Sequence, residues 1–415
     1  MGRLVQKFGG TSIADVGKIK AAAEIAVAAA HEGNEVATVV SAMGHTTDHL
    51  IGMAEEITNA PNAREMDMLL TTGEQVSIAL MSMAIQSMGY QARSFTGFQA
   101  GIITESNHGL AKIQHVAPDA VEASLQRGEI AVIAGFQGVT PNNELTTLGR
   151  GGSDTTAVAV ASALNADRCD IYTDVNGVYT ADPRLLSDAR KLASVSYEEM
   201  LELSATGAQV LAARSVELAM DAQVPLRVRS TFAPKDVGTL IGPRVMVPEY
   251  TVCSIACDMT QAALTLKSRV VDKNHASLEG ISALFTRLEE LRINTDMLML
   301  LAHEDEPSQE MAFTIDRKSL GRVQSLIESL GQSLGNPRVN VETDIARISV
   351  VGRRLTQRPE VVASVFEALQ TAGIPVNMVA TGDMRVSVLL PAKYAREAVR
   401  VIHSRFKLEE DCFIA

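Results

Sequence analysis

Two glycine-rich segments carry cationic side chains at the spacing that phosphate chemistry requires. The first is Lys7-Phe8-Gly9-Gly10-Thr11-Ser12. A short apolar strand leads into two glycines, then into hydroxyls able to cap a following helix. Glycines let backbone N–H groups approach a phosphate closely, and a helix N-terminus favours its charge. Lys7, at the strand's end, would be a point charge on a transferring phosphoryl group. This is not a Walker A loop, since no Gly-Lys-Ser/Thr follows. A strand–turn–helix with a surface lysine fits the same spacing. The second segment runs Leu148-Gly149-Arg150-Gly151-Gly152-Ser153-Asp154 into an Ala/Val-rich helical stretch. Arg150 can clamp a carboxylate with two parallel bonds. Ser153 or Asp154 could cap the helix, a role that need not exclude a functional one.

Three further segments are candidates. Ser41-Ala42-Met43-Gly44-His45-Thr46-Thr47 offers hydroxyls at the end of a buried strand, or is a polar turn. In Thr71-Thr72-Gly73-Glu74-Gln75, Glu74 could capture an ammonium group; alone the segment reads as a helix N-terminus with a favourable acid. Tyr172 to Val175, the Asn176-Gly177 turn and Tyr179 to Arg184 could hold an adenine and its ribose, or form a well-capped loop. No His-Glu-x-x-His, zinc spacing or Gly-x-Ser-x-Gly elbow is present. No general base stands out. A carboxylate attacking a phosphoryl group needs none, being anionic already; it needs charge neutralisation, in-line positioning and exclusion of water.

The elements that must position these residues alternate. Strands at residues 3–8, 35–43, 129–139 and 170–175 are separated by helical stretches, the first an Ala-rich run from Ile13 to His31 stopped by Gly33. That alternation predicts an α/β domain with a mostly parallel sheet, whose ligands bind at the strands' carboxyl ends, where the glycine segments fall. The pattern changes after Pro243–Pro248, where an internal repeat begins. Residues 281–298 align without gaps with 362–379, matching Phe285 with Phe366, Leu288 with Leu369, Ile293 with Ile374 and Met297 with Met378. Flanking strands and a last helix from Lys393 to His403 give strand–helix–strand–strand–helix–strand twice, a ferredoxin-like motif.

The 415 residues are 46% hydrophobic and 21% charged, ordinary for a globular chain of two or three domains. A formal charge of -12 argues against nucleic acid and means that an anionic substrate must be met by local positive charge. Cys169, Cys253, Cys257 and Cys412 form no metal pattern and fit a reducing cytoplasm. No signal-like core opens the chain, and no apolar run of ~18–20 residues suggests a membrane span.

Taken in order, KFGGTS, SAMGHTTD, TTGEQVS, LGRGGSDTTA and YTDVNGVYTADPR resemble the signature segments of the aspartate kinase family, within the amino acid kinase fold. The resemblance covers the whole chain. It implies a catalytic domain over 1–245 and two ACT-type regulatory domains, each a ferredoxin-like βαββαβ unit, over 260–335 and 340–415. It implies transfer of the γ-phosphate of ATP to the β-carboxylate of L-aspartate, opening the route to lysine, threonine, methionine and diaminopimelate. Lys7 would stabilise the γ-phosphate charge, and Asp154 would organise Lys7. Phe8, Gly9, Gly10, Thr173, Asp174, Tyr179, Thr180, Ala181, Asp182, Pro183, Arg184 and Gln209 would contact ATP, with magnesium arriving on its phosphates. Arg150 would bind the α-carboxylate and Glu74 the α-ammonium, with Ser41, Thr47, Gly151, Gly152 and Ser153 around the substrate.

An amino-acid effector, lysine or threonine, would meet Asp272, Asn294, Asp296, Asn377, Met378 and Thr381. Three departures from the family stand out. Gln209 replaces a lysine near the nucleotide. Asp272-Lys273-Asn274-His275 lacks the family's Pro-Gly. Leu300-Leu301 replaces a Gln-Asn pair near the effector, and an apolar pair cannot hold an amino acid's polar ends. Weakened or altered feedback is therefore expected, unless the modules mainly dimerise. A homodimer through the ACT modules is implied, or a heterotetramer with a short chain started at Met246 or Met259. The alternatives are a kinase of another small carboxylate and a catalytically idle amino-acid sensor.

Overall fold

The computed structural model describes residues 2–208, 210–244, 251–269, 276–303 and 308–410. Gln209, Met246, Pro248, Asp272–His275 and Cys412 lie outside the described residues. The chain divides into two compact units.

The first unit comprises residues 1–179, 191–205 and 209–249. Its strands are β1 (Arg3–Phe8), β2 (Glu35–Val40), β3 (Ala92–Phe95), β4 (Ile102–Thr104), β5 (Ile113–Val116), β6 (Ile130–Ala134), β7 (Gln137–Val139), β8 (Leu145–Thr147), β9 (Arg168–Thr173), β10 (Ser194–Ser196), β11 (Leu226–Ser230) and β12 (Thr239–Gly242). Its helices are α1 (Val16–His31), α2 (Thr46–Ile57), α3 (Ala63–Ser87), α4 (Asp119–Gln126), α5 (Gly152–Ala163), α6 (Tyr197–Ala205) and α7 (Ala213–Asp221).

Eight strands form one sheet in the order β10-β12-β11-β9-β1-β2-β6-β3, parallel from β11 through β3. Burial on both faces explains why β6 reads as a continuous apolar run and β2 as one broken only by Thr38, whereas β1 buries the polar Gln6 and Lys7 among its apolar residues. The expected strand 129–139 is two: the chain breaks at Phe136, in the left-handed region at φ 67°, and β7 joins a small sheet with β5, β4 and β8. α1 is rich in alanine, the best helix former, and buries Ile19, Ala22, Ala23, Ala26 and Ala29 along one stripe. Asp15 caps it by accepting from the Lys18 N–H at 2.9 Å. The hydroxyls of Thr11 and Ser12 do not cap it, because Gly10–Ile13 forms a 3-10 turn first.

α3 corrects one expectation. Glu74 is not at a helix start but in its middle. By length and composition the helix is apolar enough to cross a membrane, with a mean hydropathy of 1.3; half of that stretch is buried inside the fold. It buries Asp67 and Glu74 among its apolar residues, as a core helix that builds a site would.

The second unit comprises residues 180–190, 206–208 and 250–415. Its elements are β13 (Val252–Asp258), β14 (Gln261–Arg269), α8 (Ala276–Glu290), β15 (Thr295–His303), β16 (Ser308–Asp316), α9 (Leu320–Ser329), β17 (Arg338–Glu342), β18 (Ile345–Gly352), α10 (Pro359–Thr371), β19 (Met378–Thr381), β20 (Arg385–Pro391) and α11 (Ala395–Arg405). One sheet is ordered β15-β16-β14-β17 and the other β13-β18-β20-β19. The first module is a contiguous strand–helix–strand–strand–helix–strand. The second completes its sheet with β13, which precedes the first module in sequence. The repeat holds in burial at two of its matched pairs, Leu288 with Leu369 and Ile293 with Ile374, all interior, but not at Phe285, half-buried, and Phe366, exposed. Met297 and Met378 share one small cluster with Ala263, Ile345 and Leu389.

Candidate active site

Parallel pairing places the ends of β1, β2, β6 and β9 along one edge, where the chemistry-bearing residues collect. Lys7 lies beside Val39 and Ile171 in register. Its Nζ sits 2.6 Å from Asp154 Oδ1, both side chains being nearly buried. Burial strengthens such a pair relative to one in water. The ammonium is also close to the next glycine, since a Cβ on Gly9 would lie 3.3 Å from it. The Gly9 N–H donates to Tyr172 O at 3.2 Å, tying the glycine loop to the end of β9. A Cβ on Gly10 would meet Ala42 O at 2.8 Å, so the loop after β2 packs directly on it. Ser12 is buried and accepts from the Thr231 hydroxyl at 2.6 Å. The Phe8 ring is interior, stacked on Tyr172 with centroids 4.8 Å apart, so only its backbone faces a ligand position.

Asp154 reaches Lys7 from the first turn of α5. Neither it nor Ser153 caps that helix. Gly151 does so by adopting φ 74°, which leaves first-turn N–H groups pointing out of the helix end. A Cβ at Gly151 would stand 2.3 Å from Ala212 Cβ. Gly151→Ala is therefore expected to cost about 1–3 kcal/mol, read as a lower Tm together with reduced kcat/KM. Ser153 is nearly buried beside Gly135, where an added Cβ would lie 2.8 Å from its hydroxyl. Arg150 is exposed and makes no ion pair or hydrogen bond among the described residues.

Glu74 enters from α3. Its Oε1 accepts the Ala42 N–H at 2.9 Å, and its buried Oε2 has no partner. Burial pushes its carboxyl up to about 8. Gly73 permits this approach, because a Cβ there would meet Ala42 Cβ at 2.9 Å. Ser41 donates its N–H to Phe8 O at 3.2 Å, and Thr47 lies half-buried in the first turn of α2. Ala42 thus connects Gly10 to Glu74, and Lys7 connects the first glycine loop to α5.

The segment expected to hold ATP divides. Thr173 and Asp174 stand at the end of β9, the Thr173 hydroxyl donating to Asp174 Oδ1 at 3.0 Å. Tyr179 stays with the first unit. Thr180 and Ala181 do not: they belong to the second unit's interior. The Thr180 hydroxyl pairs with His403 Nε2 at 2.9 Å, its carbonyl accepts from Ile255 N–H at 2.8 Å, and Ala181 packs with Val252 and Ile255. Asp182 is occupied by Arg184 at 2.8 Å, and Pro183 and Arg184 are exposed. Gln209 lies outside the described residues.

Of the expected effector residues, Asp296 is bound by Arg347 and, at 2.7 Å, by Arg385. Arg347 is interior and also pairs with Asp258 at 3.1 Å. Asn377 is exposed and donates to Glu342 at 3.2 Å; Asn294 and Thr381 are exposed, and Met378 is half-buried. Leu300 and Leu301 are exposed on β15, an edge strand. Sequence reasoning missed Asp67, a fully buried acid on α3. The signal was an acid inside the apolar run Met66-Asp67-Met68-Leu69-Leu70, seven residues before Glu74 and hence on the same helix face.

Comparison with known proteins agrees with this architecture. The amino acid kinase family pattern matches residues 2–230, and an ACT domain pattern matches 348–406. The chain is 42% identical to the aspartokinase of Geobacillus stearothermophilus, covering 99% of this chain and 98% of that one. It is 43% identical to an aspartokinase of Thermus thermophilus, covering 99% and 100%. The crystal structure of E. coli aspartokinase III in complex with aspartate and ADP superposes with a TM-score of 0.81 at 26% identity, covering 97% of this chain and 99% of that one. With such identity sustained over nearly its full length, this chain belongs to the aspartokinases of the amino acid kinase family, and its activity is that of an aspartate kinase.

Proposed function

We propose that the edge built by Lys7, Gly9, Gly10, Glu74, Arg150 and Asp154 carries out this transfer as follows. The aspartate β-carboxylate oxygen attacks the γ-phosphorus of ATP. The bond to the β–γ bridging oxygen breaks, and ADP leaves with the electron pair. Lys7 neutralises charge on the transferring group, and Asp154 holds its ammonium in place. Gly9 and Gly10 let backbone N–H groups approach the phosphates. Arg150 takes the α-carboxylate, and Glu74 the α-ammonium through its unpartnered Oε2. Ser41, Thr47 and Ser153, with the Gly151-Gly152 backbone, complete the substrate contacts. Thr173, Asp174 and Tyr179 hold the nucleotide. Among the described residues no three His, Cys, Asp or Glu side chains converge as a metal cage. Magnesium fits as an ion carried by the phosphates, where it would offset their charge. The observation that carries this reading is the Lys7–Asp154 pair between two glycine loops.

Catalysis is assigned to the domain over residues 1–245 and regulation to the modules over 260–335 and 340–415, with residues 180–190 packing in the second unit, β17 closing the sheet of the first module and β13 that of the second. E. coli aspartokinase III has been crystallised with lysine and aspartate in a T-state. In this chain, feedback by lysine or threonine is weakened: Leu300 and Leu301 offer no polar partner, and Asp296 is already committed to Arg347 and Arg385. The exposed Leu298, Met299, Leu300 and Leu301 on edge strand β15 suit pairing of two copies. ATP dependence and the free thiols of Cys169 and Cys257 fit a cytoplasmic site. A coupled ADP-release assay tests the whole reading. Aspartate should be phosphorylated and glutamate not, and millimolar lysine plus threonine should leave most of the activity. Equal turnover of glutamate overturns the acceptor assignment; abolition by the two amino acids overturns the feedback assignment.

A further inference from the structure

We infer that Asp67 is a positioning residue for aspartate recognition, acting through the loop that backs Arg150. Asp67 is fully buried on α3 and gathers donors from two other segments. The Gly109 N–H lies 3.0 Å from each of its oxygens. His108 Nδ1 lies 2.8 Å from Oδ2, and the Thr147 hydroxyl donates to Oδ1 at 2.6 Å. One buried carboxyl therefore fixes the 107–110 loop against the end of β8. Such a group is expensive to bury and is offset only by this full set of donors.

The two segments it joins are those that shape the Arg150 turn. β8 runs through Leu148 directly into Gly149 and Arg150. The 107–110 loop packs on that turn: a Cβ on Gly149 would stand 2.7 Å from Leu110 Cδ2 and 3.2 Å from Gly109 O. Gly149 itself holds φ 73°. Arg150, exposed and without a protein partner among the described residues, has no side-chain contact of its own to fix it. Its placement comes from the backbone beneath, and Asp67 holds that backbone from below. Displacements of about an ångström at a positioning contact can cost on the order of a hundredfold.

The inference rests on Arg150 clamping the substrate α-carboxylate, and the experiment separates the two. Steady-state kinetics are compared for wild type, Asp67→Asn, Arg150→Ala and the double variant, alongside Tm. Asp67→Asn should raise the KM for aspartate about tenfold, keep the KM for ATP within about twofold and lower kcat less than about threefold. In the Arg150→Ala background the same change should add almost nothing, because it acts through a side chain no longer there. A full, additive loss in that background overturns the inference, as does a lower Tm with an unchanged KM for aspartate. If Arg150→Ala alone leaves that KM unchanged, the clamp assignment falls instead. His108→Ala removes a single donor and tests the point should Asp67→Asn not fold. It should raise the KM for aspartate about threefold with Arg150 present and not without it; an equal rise in both backgrounds overturns the inference.

Discussion

Lys7→Ala should lower kcat by about 10²–10³-fold, the scale for removing one electrostatic stabiliser from a transition state. The reason lies in the nucleophile. A carboxylate brings its own negative charge to a γ-phosphoryl group already anionic, so neutralisation matters more than proton transfer. Lys7 is placed for that by being last but one in a central parallel strand, with Asp154 at 2.6 Å holding its ammonium at the glycine loop. The KM for aspartate should change little, since Lys7 serves the phosphate. Lys7→Arg should not restore the rate, because a larger planar fork does not replace a compact ammonium beside Gly9. Single-turnover measurement of phosphoryl transfer checks the outcome, and an undiminished rate would remove Lys7 from the mechanism.

Glu74→Gln should separate stability from function. Burial raises the Glu74 carboxyl to about 8, far above its unfolded value near 4.5. The folded state thus binds a proton that the unfolded state releases. The sign follows: the fold loses stability as pH rises from about 4.5 through about 8, and that loss can reach the order of 4 kcal/mol. Glutamine does not ionise. The variant should therefore match wild type in Tm near pH 5 and exceed it near pH 9. Function should move the other way. A neutral amide cannot form an ion pair with the substrate α-ammonium, so above pH 8, where the wild-type carboxylate is ionised, the KM for aspartate should rise by about 10–100-fold. Wild-type KM for aspartate should improve as pH rises through 8, and Glu74→Gln should lose that dependence. Thermal melts and KM measured across pH 5–9 decide both arms; parallel melting curves would show that Glu74 is not held as described.

The site's parts were legible where a residue type has few structural uses. Glycines beside a lysine or arginine at strand ends announced the two loops, and the parallel sheet then fixed them on one edge. What could not be read was depth. Glu74 looked like an acid at a helix start because the sequence does not say that α3 begins eleven residues earlier, at Ala63. Thr180 and Ala181 followed Tyr179 in an unbroken motif, yet they face the core with His403 and Val252, a contact far away in sequence. Asp67 was hidden for the same reason: its three partners come from His108, Gly109 and Thr147, in segments that no local pattern joins to α3. The repeat was legible from apolar spacing alone, since a gapless register preserves burial at Leu288 and Leu369. Its closure was not, because β13 pairs with β18 across the whole of the intervening module, a contact that no local pattern announces.

That borrowed strand sets an order of events during synthesis. β13 leaves the ribosome before any of the first regulatory module, but its partner β18 follows only after all of it. At about 5–20 residues per second, β13 must wait several seconds with its ladder unmade, while the intervening module can fold at once from contiguous chain. The second module is therefore the last part of the chain to close. It follows too that a short chain begun at Met259 would be born without β13, exposing the edge of β18, whereas one begun at Met246 would carry it.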